Sequence, residues 1–340
     1  MRAYRFDSFE SLDVLRLREE AEPSPQRGEV LVQVRAVSLN YRDIAMLRGR
    51  YPRASHPGLI PTSDAAGEVI AVGEGVEAFK VGDRVMGAFH PRWFGGEMPA
   101  TILRDSYGAE SDGWLVERKA LSQEAVVRLP EGLTYEEAST LPCAGLTAWA
   151  ALTGATPIRA GHSVLVQGTG GVSIFALQLA HAVGATVIAT TSSAAKAQRL
   201  KDMGAAEVVN YVDDPEWGRR VRTLTGGRGV DRVVEVGGPG TIAQSLRAVA
   251  LGGEIASIGF LSSENPGIDF FQLKGSGASF RNIAVSDRAA LIELARAVAM
   301  TGLKPVIDRV FDFEDAHAAY LHLEGGSHFG KVVIRTPGGR

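Results

Sequence analysis

The chain has 340 residues, enough for two domains, and its 45% hydrophobic and 22% charged content is that of an ordinary globular protein. A net charge of −3 gives no basic stripe for nucleic acid. The one basic stretch, Arg219–Arg228, mixes with Thr and Gly and reads as a solvated helix and turn. The single cysteine, Cys143, excludes a disulfide framework within the chain and a cysteine-rich zinc lobe. Met1–Asp7 lacks an apolar signal core, and no apolar run approaches membrane-spanning length. A cytoplasmic protein with no membrane partner is expected.

The first third reads as short strands between Gly/Pro turns: Val30–Val37, Ala66–Val72, and a strand entered through the turn Val81–Met86. This spacing predicts a β-rich, barrel-like domain. Beyond Pro130 the pattern changes. Thr134–Leu152 reads as one helix, with Thr134 as N-cap and Glu137 three residues on. Strands and helices then alternate. The strands are Ser163–Gln167, Thr186–Thr190, Val208–Asn210, Val230–Val236, Glu254–Ile258 and Phe280–Val285. The helices are Val172–Val183, Ala194–Met203, Trp217–Thr225, Thr241–Val249 and Asp287–Met300. Such alternation specifies an α/β fold, a Rossmann doubly wound parallel sheet. The tail Pro305–Ile334 returns to mixed character and is expected to rejoin the first domain. The expected borders are 1–124 with 302–340 for the β-rich domain, and 125–301 for the α/β domain.

Between the first α/β strand and its helix lies Gly168-Thr169-Gly170-Gly171-Val172-Ser173. Gly168 allows the tight turn, Gly170 lets backbone approach a pyrophosphate, and the small Ser173 lets the helix pack close to the strand. The helix N-terminus offers free N–H groups to phosphate. A dinucleotide site is expected here. NAD sites place Asp or Glu about 20 residues further on, at the end of the second strand. This chain has Thr190, Thr191, Ser192, Ser193 and then Lys196, hydroxyls and a cation suited to a 2′-phosphate. NADPH is therefore the expected cofactor. As plain structure, Ser192 or Ser193 would cap the next helix.

Six ordered motifs carry a family resemblance. They are Ser38–Asp43 (SLNYRD), Asp64–Val69 (DAAGEV), Val81–Val85 (VGDRV), Leu141–Trp149 (LPCAGLTAW), the Gly168 turn, and His328–Val332 (HFGKV). Over nearly its whole length the chain resembles the medium-chain dehydrogenase/reductase superfamily, in its zinc-independent quinone-oxidoreductase-like branch. The resemblance implies that the β-rich part is a GroES-like catalytic domain. Zinc-dependent members hold the metal between a Cys, a His and a second Cys. The positions that resemble these are Asn40, Ser63 and Cys143, so no metal is expected. Cys143 reads as a small buried residue.

The resemblance further implies that Asn40 and Tyr41 stand beside the nicotinamide. Asn40 would donate to a substrate oxygen, and Tyr41 would donate a proton to a developing enolate or wall the cleft. Thr147, Gly259, Phe260 and Phe329–Lys331 (including Gly330) would line the nicotinamide end. Tyr211 would approach the adenosine phosphate, and Gly237 and Gly238 the cofactor's crossing of the sheet edge. Asp43 and Asp64 would orient their loops, paired with basic neighbours such as Arg42 or Arg84. Trp93 and Phe94 could stack on a planar acceptor.

Without zinc the main electrophile for alcohol oxidation is missing, while hydride delivery to an activated acceptor remains feasible. The expected enzyme transfers hydride from NADPH to a quinone or α,β-unsaturated carbonyl, a small-molecule substrate, and works as a homodimer. The alternatives are an alcohol or aldehyde dehydrogenase of the same superfamily, and an NADPH-binding protein without robust catalysis.

Overall fold

The computed structural model describes residues 1–340 apart from 10, 52–55, 103–104, 155, 263–266 and 339–340. Of the expected β-rich domain, residues 10, 52–55, 103–104 and 339–340 therefore lie outside the described residues, and of the expected α/β domain residues 155 and 263–266. The chain forms two compact units, Met1–Leu146 with Val285–Arg340, and Thr147–Ala284.

The first unit contains β1 (Arg2–Phe6), β2 (Leu15–Glu19), β3 (Glu29–Leu39), β4 (Asp64–Val72), β5 (Arg84–Gly87), β6 (Arg118–Ser122) and β7 (Val126–Arg128). Helix α1 spans Tyr41–Leu47 and α2 spans Tyr135–Ala138. The long strand β3 organises the sheet. It pairs antiparallel with β4 along nearly its whole length and with β6 along Glu29–Gln33. Buried Val30, Val32, Val34, Val37 and Leu39 on β3 join Trp114, Phe6 and Phe313 in the core.

Helix α2 begins as expected: Glu137 N–H donates to Thr134 Oγ1 at 3.2 Å, and Thr134 N–H donates to the Glu137 carboxylate at 2.8 Å. The single helix expected over Thr134–Leu152 is broken, however. A π-helical turn covers Leu141–Gly145, and α3 (Leu146–Leu152) follows it. Pro142 supplies no amide donor and opposes a regular helix there, and Gly145 N–H reaches back five residues to Thr140 at 3.4 Å.

The second unit carries β8 (Ser163–Gln167), α4 (Gly171–Ala182), β9 (Thr186–Thr191), α5 (Ala194–Asp202), β10 (Ala205–Asn210), α6 (Trp217–Leu224), β11 (Val230–Glu235), α7 (Ile242–Ala248), β12 (Val249–Ser257), α8 (Phe270–Ser276) and β13 (Ser279–Asn282). The strand order is β10-β9-β8-β11-β12-β13, every pairing parallel. This is the doubly wound Rossmann order, with its switch point between β8 and β11. Helix α8 was not foreseen. Strand β13 ends before Val285, whose φ of +60° is a left-handed conformation that a β-branched residue rarely adopts and a strand cannot continue through.

Returning to the first unit, α9 (Arg288–Thr301), β14 (Ile307–Asp312), α10 (Ala316–Glu324) and β15 (Lys331–Arg335) complete the chain. Strand β15 pairs antiparallel with β3 along Ala36–Leu39, extending the sheet to β14. The tail thus rejoins the first unit. The sequence-based borders followed the change of strand and helix pattern. Packing places α2 and α9 with the first unit and puts the border at the start of α3. Among the described residues no helix is long and apolar enough to cross a membrane.

Candidate active site

In the first unit the site grows from the junction of β3 and α1. Asn40 follows β3 directly, and its backbone N–H donates to the Asp43 carboxylate at 2.8 Å, which fixes the start of α1. The Asn40 side chain is turned elsewhere. Its Nδ2 donates to Asp64 Oδ2 at 2.9 Å, and its Oδ1 accepts from Lys331 Nζ at 2.5 Å. Lys331, at the first position of β15, also donates to the Leu39 carbonyl at 2.5 Å. Asp64 accepts two further bonds, from Ser63 Oγ at 2.9 Å and from Cys143 N–H at 3.2 Å. The π-helical turn supplies that free amide. Asp64 is fully buried, and Lys331 and Asn40 are buried almost as deeply. Burial pushes the Asp64 carboxyl up and the Lys331 ammonium down, while their opposite charges resist both changes.

Asp64 is held by strain as well as by bonds. Thr62, two residues earlier, is fully buried with φ of +72°. A left-handed β-branched residue persists only where its surroundings over-determine it, and such residues cluster at functional sites. Asp43 is fully buried, and desolvation raises its carboxyl to about 6 against the opposing charge of Arg42. The expected partners for these carboxylates are corrected. The Arg42 guanidinium donates to the Tyr107 carbonyl at 2.9 Å and Ser106 Oγ at 3.0 Å, and stacks on Phe89. Arg84 donates to the Leu133 carbonyl. Tyr41 is half-buried at the first position of α1. Trp93 is buried and Phe94 half-exposed. Phe329 is buried, its N–H bonded to Asp308 at 3.0 Å, and Gly330 has φ of +90°.

These donors do not fit a zinc ion. Burial pushes the Cys143 thiol up, away from the thiolate that binds metal. The Asp64 carboxylate is filled by three donors, and an ammonium already occupies the Asn40 oxygen. Among the described residues no three His, Cys, Asp or Glu side chains group as metal ligands.

In the second unit the predicted residues gather at one place, the carboxyl edge of the parallel sheet. Gly168, with φ of +71°, follows β8, and its N–H donates to the Thr190 carbonyl at the end of β9 at 2.9 Å. A side chain at Gly168 or Gly170 would meet no atom within 4 Å, so both face open space. Thr169 is buried, and Gly171 and Val172 open α4. Ser173 does more than keep the helix close: its hydroxyl donates to the Gln167 carbonyl at 2.6 Å. Thr191 ends β9, Ser192 is exposed, and Ser193 caps α5 by accepting from Lys196 N–H at 3.4 Å. Tyr211 follows β10, Gly237 and Gly238 follow β11, and Gly259 and Phe260 follow β12. A Cβ on Gly259 would lie 2.0 Å from the Val236 carbonyl, so only glycine lets these two turns touch. Thr147 is buried in α3.

Sequence reasoning missed the group beneath these turns. Glu235, fully buried at the end of β11, accepts from Gly237 N–H and Gly238 N–H, each at 2.9 Å, and from the Thr241 hydroxyl. Its other oxygen accepts from Gln167 Nε2 at 2.8 Å and from Ser245 Oγ. Gln167 Oε1 in turn accepts from Val236 N–H at 3.2 Å. Glu235 thereby ties the ends of β8 and β11 at the switch point. An acidic residue closing the strand directly after the apolar pair Val233-Val234, two places before Gly237, was the signal that could have found it.

The doubly wound unit and the mixed-sheet unit with its buried polar site define a two-domain oxidoreductase fold. Family models match at residues 26–131 (Alcohol dehydrogenase GroES-like domain) and 171–300 (Zinc-binding dehydrogenase). The chain is 38% identical over 328 residues to the zinc-type alcohol dehydrogenase-like protein C1773.06c of Schizosaccharomyces pombe, covering 94% of this chain and 95% of that one. It is 30% identical to acryloyl-coenzyme A reductase of Metallosphaera sedula, covering 94% and 96%. A solved NAD-dependent alcohol dehydrogenase superposes with a TM-score of 0.90 at 32% identity, over 98% of this chain and 99% of that chain. The Escherichia coli quinone oxidoreductase in complex with NADPH superposes with a TM-score of 0.84 at 25% identity, over 98% and 100%. The chain belongs to the medium-chain dehydrogenase/reductase superfamily, whose members here are oxidoreductases.

Proposed function

We propose that the protein transfers hydride from NADPH to a quinone or an α,β-unsaturated carbonyl, without zinc. The observation that carries this reading is the Lys331–Asn40–Asp64 chain of bonds, which fills the donors that a catalytic zinc would need. Reduction of an acceptor that is already activated needs orientation and a hydrogen bond rather than a Lewis acid. The names of two relatives, acryloyl-coenzyme A reductase and quinone oxidoreductase, support that substrate class.

The second unit binds the dinucleotide. Its pyrophosphate lies on the Gly168–Val172 turn at the α4 N-terminus, which faces open space as such a site requires. Thr191, Ser192, Ser193 and Lys196 receive the 2′-phosphate. Tyr211, Gly237, Gly238, Gly259 and Phe260 border the same sheet edge, and Thr147, Phe329 and Gly330 serve the nicotinamide end. When bound, NADPH supplies the hydride. In the first unit Asn40 keeps one Nδ2 hydrogen beyond its bond to Asp64 and donates it to the acceptor oxygen. Tyr41 delivers the proton. The protein acts as a homodimer on a small-molecule substrate.

A screen of quinones, enones, aldehydes and alcohols, following NADPH and NADH absorbance, tests this. Quinone or enone reduction preferring NADPH and insensitive to chelators is expected. Stoichiometric zinc with chelator-sensitive alcohol oxidation would overturn the reading in favour of an alcohol dehydrogenase. In the same assay Tyr41→Phe lowers kcat about 100-fold if Tyr41 is the proton donor; an unchanged kcat makes it a wall of the site.

A further inference from the structure

We infer that Lys331 is a positioning residue that sets the Asn40 amide, and that it does not contact the dinucleotide. The inference rests on the hydride-transfer reading for its kinetic consequence and on the first unit alone for its geometry.

Lys331 is 3% exposed, and a buried ammonium is costly unless its N–H groups find acceptors. Here they do: Nζ donates to the Leu39 carbonyl and to Asn40 Oδ1. An amide side chain has a donor end and an acceptor end, and nothing in its shape decides which faces which neighbour. At Asn40 the neighbours decide. Lys331 can only donate, so it claims Oδ1. The Asp64 carboxylate accepts, so it claims Nδ2. The amide is clamped between a cation and an anion, and a flipped amide would set like ends together on both sides.

The clamp leaves one Nδ2 hydrogen of fixed direction. Leu39 ends β3, Lys331 begins β15, and the two strands pair at that point, Val332 opposite Leu39. The cation is thus delivered by the sheet register itself. Both its bonds lie within the first unit, and both reach residues 39–40. A lysine committed in this way orients the group that meets the acceptor. A positive charge stands beside the acceptor's hydrogen-bond donor, where relatives of the zinc-binding type would use a metal cation.

The test uses the full-length protein with NADPH and 1,4-benzoquinone. Lys331→Met is expected to lower kcat about 10- to 100-fold, the range seen when a supporting hydrogen bond behind a functional group is removed. The NADPH dissociation constant, read by fluorescence titration, should stay within about twofold of wild type, since no phosphate or ring contact is lost. Lys331→Gln retains an N–H for Asn40 Oδ1 and should recover part of the loss. Adding Lys331→Met to Asn40→Leu should slow turnover no further than Asn40→Leu alone. A tenfold or greater weakening of NADPH binding with kcat intact, or effects that multiply in the double variant, would overturn the inference.

If Lys331→Met does not fold, the Gln variant decides by the same two readouts. If the wild-type protein reduces no quinone or enone, the functional reading fails by itself. The clamp is then judged by urea denaturation of the four proteins of the Lys331/Asn40 cycle. Non-additive midpoint shifts with unchanged NADPH binding support it, and additive shifts sink it.

Discussion

Asn40 shows how far a single residue's role depends on its neighbours. Its place before Tyr41-Arg42-Asp43 marks a helix start, where Asn ordinarily caps with its side chain. The Asp43 carboxylate bonds the Asn40 N–H instead, and the Asn side chain is released to join Asp64 and Lys331. Asp43 itself predicts a pH effect. Burial raises its carboxyl to about 6, against about 4 for an unfolded chain, with Arg42, Lys331, Asp64 and Tyr320 as the charged or titratable groups facing it. The raised group stabilises the fold most where it is protonated in both states. That contribution is lost as pH rises from about 4 to about 6 and is absent above. Urea titrations across this window should show stability falling with pH, and Asp43→Asn should remove that component of the slope. On the second unit, Lys196→Ala should raise KM for NADPH about tenfold while leaving KM for NADH unchanged, because only NADPH carries the phosphate. Equal effects on both cofactors would sink the 2′-phosphate assignment.

At the scale of elements, the parallel strands position the candidate cofactor site more than any motif does. Their carboxyl ends bring Gly168, Thr191, Tyr211, Gly237 and Gly259 to one edge although up to 91 residues separate them. Glu235 then joins the β8 and β11 turns. Removing its carboxylate by Glu235→Ala leaves the Gly237 and Gly238 amides, the Thr241 and Ser245 hydroxyls and the Gln167 amide without their shared acceptor. A loss of about 3 kcal/mol or more in unfolding free energy is expected by chemical denaturation. A loss under about 1 kcal/mol would mean that water replaces the carboxylate easily. The Arg232–Glu254–Arg281 cluster joins β11, β12 and β13 in a similar way. Glu254 holds both guanidinium groups, which also cap the carbonyl end of α3 at Ala150 and Ala151.

For the whole molecule, the described sheet of the second unit ends at β13, and exposed apolar side chains stand at and near that edge. Phe280 is 38% exposed, Leu251 on β12 is 82% exposed, and Phe271 on α8 is 78% exposed. An unpaired edge with apolar neighbours is a place for a second strand to add, and two-fold symmetry would pair β13 with its own copy. The proposed homodimer should therefore show twice the 36.1 kDa chain mass by light scattering, and Phe280→Arg should shift it toward monomer. A wild-type protein of monomer mass at micromolar concentration would remove the idea.

Much of this fold was legible because it is local. Strand and helix periods, the Gly168 turn and the Thr134–Glu137 cap depend on neighbours in sequence, and the five helices expected after β8 lie within a residue of their expected ends, while β10 begins at Ala205 and β12 at Val249, earlier than the expected Val208 and Glu254. The breaks came where local rules compete: Pro142 divided one expected helix, and Val285 stopped a strand early. The sequence by itself determined the doubly wound sheet and brought Asn40, Tyr41, Gly168 and Lys196 forward as candidates. Only the tertiary structure decided that Lys331 turns inward to Asn40 and that Asp64 is filled by three donors. It also placed Glu235 beneath two turns. Of these contacts, Asn40–Asp64, Gln167–Glu235, Cys143–Asp64 and Lys331–Asn40 join residues 24 to 291 positions apart, through strand register and burial, and no pattern along the chain encodes which polar ends will meet.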